Sequence, residues 1–215
     1  MKAGRYLLLL VTTLISLPSW AQPLNIKVLD FTNANQQDLI RVNSALELLK
    51  IVVNQDSFRQ EILNMTYNIG SRTYTGFTQT KQTREQVMES ILRAEEIFEG
   101  GSPATMDLYM DMYQENSDTV GYTTPSDPYF HMNRWIQADY SPAKTSGNIF
   151  HEWLHKLGHG HTKRNNKYRP HSVPYKLGKM VATMSAELAA NGDPVMESLM
   201  LAEYQEILDM PCSHQ

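Results

Sequence analysis

The segment from His151 to His161, HEWLHKLGHGH, contains four of the chain's seven histidines. His151 and His155 are four residues apart, so on a helix they differ by about 40° in angle and about 6 Å in height, and both imidazoles can reach one metal ion. Glu152 lies beside them. Zinc lowers the pKa of a bound water toward about 7, and an adjacent carboxylate can take the proton. The pattern H-E-x-x-H therefore predicts a site for metal-assisted hydrolysis.

Gly158 and His161 extend this pattern to H-E-x-x-H-x-x-G-x-x-H, which arises by chance far more rarely than the short form. The extended pattern resembles that of the metzincin clan of zinc endopeptidases. The resemblance implies Zn²⁺ held by His151, His155 and His161, with Gly158 turning the chain so that His161 returns to the metal. It also implies that Glu152 acts as general base and later as proton donor.

Metzincins place strands and two long helices before the site, together with an edge strand that pairs with extended substrate. We expect that edge strand between Tyr129 and Trp135, just ahead of the motif. The clan also has a methionine turn beneath the metal. Here the sequence departs from the pattern: Ser172-Val173-Pro174-Tyr175 resembles the serine-led turn but lacks the methionine. Met180 and Met184 are candidates for the same space, and the subfamily stays unassigned.

Several other residues near the motif have open interpretations. By the same resemblance Tyr175 is a fifth metal ligand or an oxyanion donor, and otherwise an ordinary turn aromatic. His171 is the best substitute ligand for His161. A different zinc class would take its third ligand from Glu187, which would leave Gly158 and His161 unexplained. His159 lies within the motif but off its spacing, and His131 and His214 have no partner at ligand spacing. These three are interpreted as surface or core polar residues.

The helix that carries the motif has clear boundaries in the sequence. Ser141-Pro142 predicts its start, because serine caps helices and proline suits the first helical position. Gly158 predicts its end. Between them, the apolar residues at helical spacing predict the buried face: Ile149, Phe150, Trp153, Leu154 and Leu157.

The rest of the chain alternates strand and helix patterns. We predict strands over Asn25–Phe31, Met106–Met112 and Tyr129–Trp135, and helices over Gln36–Val53, Ser57–Met65 and Thr83–Phe98. The last of these has a capping box, Thr83 with Gln86, and a stop at Gly100-Gly101. Together with the resemblance, these elements predict an α+β fold: a small twisted mixed sheet with an antiparallel edge strand, two long helices, one of them carrying the zinc motif, and a mostly helical C-terminal part.

Composition and net charge limit the classes of function that this chain can have. The 215 residues are 41% apolar and 20% charged, which is ordinary for one globular domain. A net charge of −4 gives no general attraction to nucleic acid, and we expect no nucleic-acid partner. Cys212 is the only cysteine, so we expect no internal disulfide.

The N-terminus has the features of an export signal, with an uncleaved anchor as the alternative. Lys2 and Arg5 precede an apolar run, Tyr6–Leu17, and Ser19-Trp20-Ala21 forms a small-x-small cleavage site. We therefore predict a signal peptide over 1–21 and a metallopeptidase domain over 22–215, with an upper lobe at about 22–158 and a lower lobe at about 159–215. The mature protein is expected to be secreted or periplasmic without stable membrane association. Residues 22–67 are either integral structure or a pro-segment.

A basic run follows the motif. From Thr162 to Lys179 there are six lysines and arginines and no acid, whereas from Met180 to the end there are six acids and no lysine or arginine. The two segments pair with each other, or the first is a solvated loop, or it forms a basic rim that selects acidic substrate residues.

The sequence thus predicts an exported zinc-dependent endopeptidase that hydrolyses peptide bonds through a zinc-bound water activated by Glu152. Its partner would be a protein or peptide substrate. Two alternatives stay open: a zinc-stabilised binding or structural module without proteolysis, and a zinc hydrolase of a non-peptide amide.

Overall fold

The computed structural model describes residues 23–97 and 102–191. The predicted signal peptide, the Gly100-Gly101 stop, Cys212, His214 and most of the acidic C-terminal run lie outside these residues. No helix in the two described ranges is long and apolar enough to cross a bilayer. In chain order the elements are β1 (Asn25–Thr32), α1 (Gln36–Val53), α2 (Asp56–Leu63), β2 (Thr66–Ile69), β3 (Arg72–Thr75), α3 (Arg84–Arg93), β4 (Thr105–Tyr113), β5 (Gly121–Tyr122), β6 (Tyr129–Asn133), α4 (Arg134–Gln137), α5 (Pro142–Lys156) and α6 (Val173–Ala190).

The main sheet has four strands in the order β1-β4-β6-β5. β4 pairs in parallel with both β1 and β6, and β5 pairs antiparallel with β6 at the edge. The strand predicted from alternating apolar residues is β4, and the predicted core face is confirmed because Met106, Leu108, Met110 and Met112 are all buried. On the opposite face Asp107 is buried, whereas Tyr109 and Asp111 are half-buried. The predicted α+β class with a small mixed sheet is therefore confirmed.

Three helices pack together to position the histidine motif. α5 packs against both α1 and α6, and α1 also contacts α6. At the crossing of α5 and α6, a Cβ atom on Gly147 would lie 2.5 Å from the carbonyl oxygen of Gly178. The two helix backbones thus approach more closely than any larger residue would allow.

Residues 23–67 are integral to this core. β1 forms the parallel pair with the central strand β4, and α1 buries Val42, Leu46, Leu49 and Val52 in the common apolar cluster. The predicted helix over Gln36–Val53 is confirmed, with a capping box in which the Asn35 side chain accepts from the Asp38 N–H. Of the two alternatives for this segment, the structure therefore supports integral structure and not a pro-segment.

The strand predicted over Tyr129–Trp135 differs from the structure in two ways. β6 ends at Asn133, whose side chain accepts from the Trp135 N–H and starts the short helix α4. β6 is also an inner strand, so the edge position predicted for it is wrong and belongs to β5. A two-residue strand carries no periodicity, and β5 is placed instead by tertiary bonds: the buried Asn133 amide donates to the carbonyls of Glu115 and Thr119 in the preceding loop.

The helix predicted over Thr83–Phe98 begins as expected, with Thr83 and Gln86 forming the capping box, but it ends at Arg93. Ala94 adopts a left-handed conformation at φ 49° and stops it. Beyond this point the chain bonds to α5 instead: the Ile97 N–H donates to the Lys156 carbonyl (2.9 Å), and Glu96 accepts from the Trp153 indole (2.8 Å). Contacts distant in sequence thus override the local helical pattern.

Candidate metal centre

Helix α5 places His151 and His155 on one face. Ser141 caps its first turn by accepting from the Lys144 N–H (3.3 Å), and Pro142 occupies the first helical position, as predicted. Of the predicted buried face, Ile149, Phe150, Trp153 and Leu154 are fully buried, and Leu157 is half-buried. This anchoring on the core turns the two histidines toward α6 and an open groove.

The turn after α5 brings His161 back to the other two histidines. Gly158 has φ 84°, a conformation that side-chain-bearing residues rarely adopt, and it ends the helix as predicted. The potential ligand nitrogens of His151, His155 and His161 all lie within 4.8 Å of one another, and their ring centroids are 4.8 to 5.3 Å apart. These three residues can hold a metal ion, and they are the set that the motif predicts.

Hydrogen bonds to backbone carbonyls orient the imidazoles. His155 Nδ1 donates to the carbonyl of His159 (2.7 Å), and His161 Nδ1 donates to the carbonyl of Thr162 (3.2 Å). The backbone of Pro174 lies near the ring of His151 and opposes the lowering of its pKa. Because a carbonyl only accepts, Nδ1 of His155 and of His161 carries the proton, and Nε2 is left with its lone pair. Such outer contacts fix the tautomer and direction of metal-binding histidines.

The three rings are held in the neutral form that a metal requires. Burial lowers the pKa of His151 to about 3 and that of His155 to about 4, with mutual repulsion among the rings adding to the effect. Burial also lowers the pKa of His161. Neutral imidazoles without a thiolate suit zinc, copper, iron and nickel. The donor set therefore fits the ion predicted from the sequence.

Glu152 lines the same groove as the three histidines, and its side chain is 4% exposed. Burial raises the pKa of its carboxyl from 4.5 to about 8, which is near the value at which a group exchanges protons well at neutral pH. Gly121 of the edge strand β5 lies close to it, since a Cβ there would be 3.6 Å from Glu152 Oε1. A buried acid thus sits between the histidines and the edge strand.

The groove above the histidines has a volume of about 690 Å³ and is open to solvent along one side. Its walls include residues 118–123 with the edge strand β5, the face of α5 that carries His151 and His155, and the first turns of α6. The Asn148 side chain, one turn before Glu152, has a buried Nδ2 with no hydrogen-bond partner among the described residues. The groove therefore has room for a ligand and offers a free donor near the acid.

Tyr175 also belongs to this centre. Its ring packs edge-on against His151 and His161, with both centroid distances 4.7 Å. The serine-led segment Ser172–Tyr175 forms the cap and first turn of α6, so the residues beneath His151 are Pro174 and Gly178. Met180 and Met184 line a different groove of about 580 Å³ together with Glu187. Neither methionine nor Glu187 joins the three histidines.

The other described histidines have structural partners. His131 lies between the carboxylates of Asp111 (2.9 Å) and Asp127 (3.3 Å). His171 stacks on Tyr67 at 5.1 Å. The predicted substitute role of His171 has no counterpart, because it is not among the clustered ligands.

His159 supports the histidine cluster in a way that its spacing in the motif did not suggest. Its ring is buried and bonds to Ser90 of α3 (2.9 Å), while its carbonyl orients His155. Since the Ser90 hydroxyl already donates to the Val87 carbonyl (2.8 Å), it accepts from His159 Nε2. The turn between His155 and His161 is thereby tied to α3 through a residue 69 positions earlier in the chain, a contact with no signal in the local sequence.

No protein-family model, no curated protein and no solved structure matches the chain.

Proposed function

We propose that this chain is a zinc-dependent endopeptidase of the metzincin type. The observation that carries the proposal is the convergence of three neutral imidazoles, His151, His155 and His161, beside the buried carboxyl of Glu152. The spacing of the motif and the antiparallel edge strand at the groove support it. We also propose that the protein is exported, because its N-terminal sequence has the features of a signal peptide.

The roles of the protein groups follow from their positions. Zinc held by the three histidines would polarise the scissile carbonyl, lower the pKa of a water toward about 7 and favour the ionised form of Glu152. Glu152 then accepts a proton from this water and delivers it to the leaving amine. Tyr175 would donate to the developing oxyanion, a role supported by the packing of its ring against His151 and His161.

The edge strand β5 would align the substrate. Gly121 and Tyr122 pair with β6 along one side only, and the other side borders the groove. An extended peptide can add to such an edge through main-chain hydrogen bonds, which places its backbone across the histidines. Main-chain pairing of this kind favours cleavage within a chain and does not discriminate between most substrate side chains.

A purely structural zinc site favours four protein ligands. Among the described residues only three potential ligands cluster here, and they face an open groove with an acid. These features favour catalysis over a zinc-stabilised binding module. A chelator separates the two, because it abolishes cleavage of a casein-like substrate by an enzyme but only lowers the melting temperature of a binding module. Matched peptide and non-peptide amide substrates separate the peptidase from an amide hydrolase.

Two substitutions test the mechanism. Glu152→Gln should retain zinc and lose about 10²- to 10⁴-fold in kcat, because the proton acceptor is gone while the ligands remain. His155→Ala should lose both zinc and activity. Zinc content by elemental analysis and cleavage of a fluorogenic peptide library measure these outcomes.

Glu187→Gln is the matched control, since it removes a carboxylate on α6 that lines the other groove. It should leave zinc content and kcat unchanged. Wild-type activity in Glu152→Gln, or a zinc-loaded wild-type protein that cleaves no peptide, would contradict the proposal.

A further inference from the structure

Arg169 lies at the wall of the groove, next to the histidine cluster. Its guanidinium stacks over the Tyr175 ring at 4.8 Å from the centroid, and that ring is 4.7 Å from the rings of both His151 and His161. One aromatic side chain therefore separates a permanent positive charge from the proposed metal. The side chain lines the same groove as Glu152.

The guanidinium is held in place but not neutralised by the described residues. Its Nη1 makes one long bond to the Lys163 carbonyl (3.4 Å), and its Nε is buried without a partner. None of the ion pairs among the described residues involves it. A buried donor without a partner is costly, and a planar guanidinium matches the two oxygens of a carboxylate.

The backbone that carries Arg169 is fixed before any ligand arrives. The Arg169 N–H donates to Asn166 Oδ1 (3.1 Å), and the Arg169 carbonyl accepts from the Ser172 hydroxyl (2.8 Å). Thr78 ties the segment to the rest of the fold by donating to the Tyr168 carbonyl (2.6 Å). A ligand would therefore lose little affinity to ordering this segment.

The charges around the groove favour an anionic ligand. Besides Arg169, its lining includes Lys144, Lys163 and Lys179, against two acids, Asp118 and Glu152. None of these three lysines forms an ion pair with an acid inside the described ranges. Exposed lysines raise the encounter rate with acidic substrates, whereas a stacked arginine fixes one carboxylate in position.

We propose that Arg169 binds a carboxylate of the substrate close to the scissile bond and thereby sets specificity. This inference rests on the proposed peptidase function. An extended chain advances about 3.3–3.6 Å per residue, so the centroid distances through Tyr175, 4.8 and 4.7 Å, place the carboxylate within about three residues of the bond. An acidic side chain or the C-terminal carboxylate of a short peptide supplies the same chemistry.

The test measures binding apart from hydrolysis. Zinc-loaded Glu152→Gln protein is immobilised and exposed to random hexapeptides, half with free and half with amidated C-termini, and the retained peptides are sequenced by mass spectrometry. We expect about 10-fold or greater enrichment of Asp and Glu at one position if the ligand is a side chain. Enrichment of free over amidated termini identifies the terminal carboxylate instead.

Substitutions in the same background assign the effect to Arg169. Arg169→Gln should abolish the enrichment, and Arg169→Lys should lose most of it, because lysine keeps the charge but not the planar pair of donors. Lys167→Gln removes the same charge from an exposed position outside the groove lining and should keep the enrichment. Circular dichroism and zinc content check that each variant is folded and loaded.

Retained peptides with the composition of the starting mixture, no retained peptides, or equal enrichment in Arg169→Gln would each overturn the inference. The wild-type protein, incubated with the same mixture, reports separately on the proposed function. If it cleaves nothing, the peptidase proposal fails while retention still decides the role of Arg169. If it cleaves acidic and neutral peptides alike, the peptidase proposal stands and the role of Arg169 does not.

Discussion

At the scale of single residues, the candidate metal centre depends on protonation states that burial sets. His151 and His155 are neutral because burial opposes the charged form of each ring, and the His155 ring also donates to the carbonyl of His159. The same surroundings keep the Glu152 carboxyl protonated to about pH 8 when no metal is bound. Burial therefore raises the pKa of the Glu152 carboxyl and lowers the pKa values of the histidines.

This opposition predicts the pH dependence of stability in the metal-free protein. The pKa of Glu152 is raised from 4.5 to about 8, so the unfolded state binds fewer protons than the folded state in this range and stability falls as pH rises through it. The pKa values of His151, His155 and His159 are lowered from 6.5 to about 3 or 4, so their contribution to stability rises with pH up to about 6.5.

Between pH 6.5 and 8 only the Glu152 effect remains among these four groups. Urea denaturation of metal-free protein should therefore show stability falling across this window in the wild type and staying nearly level in Glu152→Gln. Parallel slopes for the two proteins would show that the Glu152 carboxyl is not buried in the metal-free state.

At the scale of secondary-structure elements, the site depends on how closely α5 and α6 approach. Gly147 and Gly178 face each other where the helices cross, and Gly178 also touches His151. The position of α5 thus depends on Gly178, a neighbour without a side chain. The first turn of α6 lies beneath His151, where a methionine turn was expected.

Gly178→Ala should disturb both the packing and the site. The added Cβ would lie 2.8 Å from the Gly147 carbonyl oxygen and 3.0 Å from the His151 Cβ, so α5 and α6 must separate. We expect a loss of about 1–3 kcal/mol in the free energy of unfolding of the metal-free protein, and at least a 10-fold loss of zinc affinity as His151 moves. Denaturation and competition with a zinc-binding dye measure the two effects.

Gly160→Ala is the matched control for this substitution. It adds the same methyl group inside the histidine motif, but the new Cβ meets nothing within 4 Å. Stability and zinc affinity should stay near wild type. If Gly178→Ala behaves like Gly160→Ala, the contact between α5 and α6 does not position His151.

At the scale of the whole molecule, a bound metal would connect α5 to the segment that returns with His161. Thr78 bonds to the backbone of Tyr168 and His171, and Gln79 accepts from the Thr162 N–H, so the returning segment is also fastened to the stretch before α3. A metal ion adds to these links only in the folded state, because the three ligands are brought together by folding.

Zinc should therefore raise the melting temperature. At a free zinc concentration 100 times the dissociation constant, the gain is about 2.7 kcal/mol, which corresponds to about 5–10 °C for a domain of this size. Differential scanning calorimetry with buffered zinc measures it. His155→Ala should show almost no shift, and an equal shift in this variant would place the bound zinc elsewhere.

Much of the local structure was predictable from the sequence. The boundaries of α1 and α5, the buried face of β4 and the turn at Gly158 follow from caps, periodicity and backbone preference, which act over a few residues. The edge position of β5 and the early end of α3 did not follow, because they depend on Asn133 and Lys156, which bond to segments distant in sequence.

For the site, the sequence by itself determined that His151, His155 and Glu152 share one helix end and that Gly158 can turn His161 back toward them. Only the tertiary structure decided which histidines cluster, how burial shifts their pKa values, and that Tyr175, Arg169 and Gly178 surround them. The physical reason is that helix geometry fixes neighbours four residues apart, whereas burial and electrostatic surroundings come from whichever segments the core brings together.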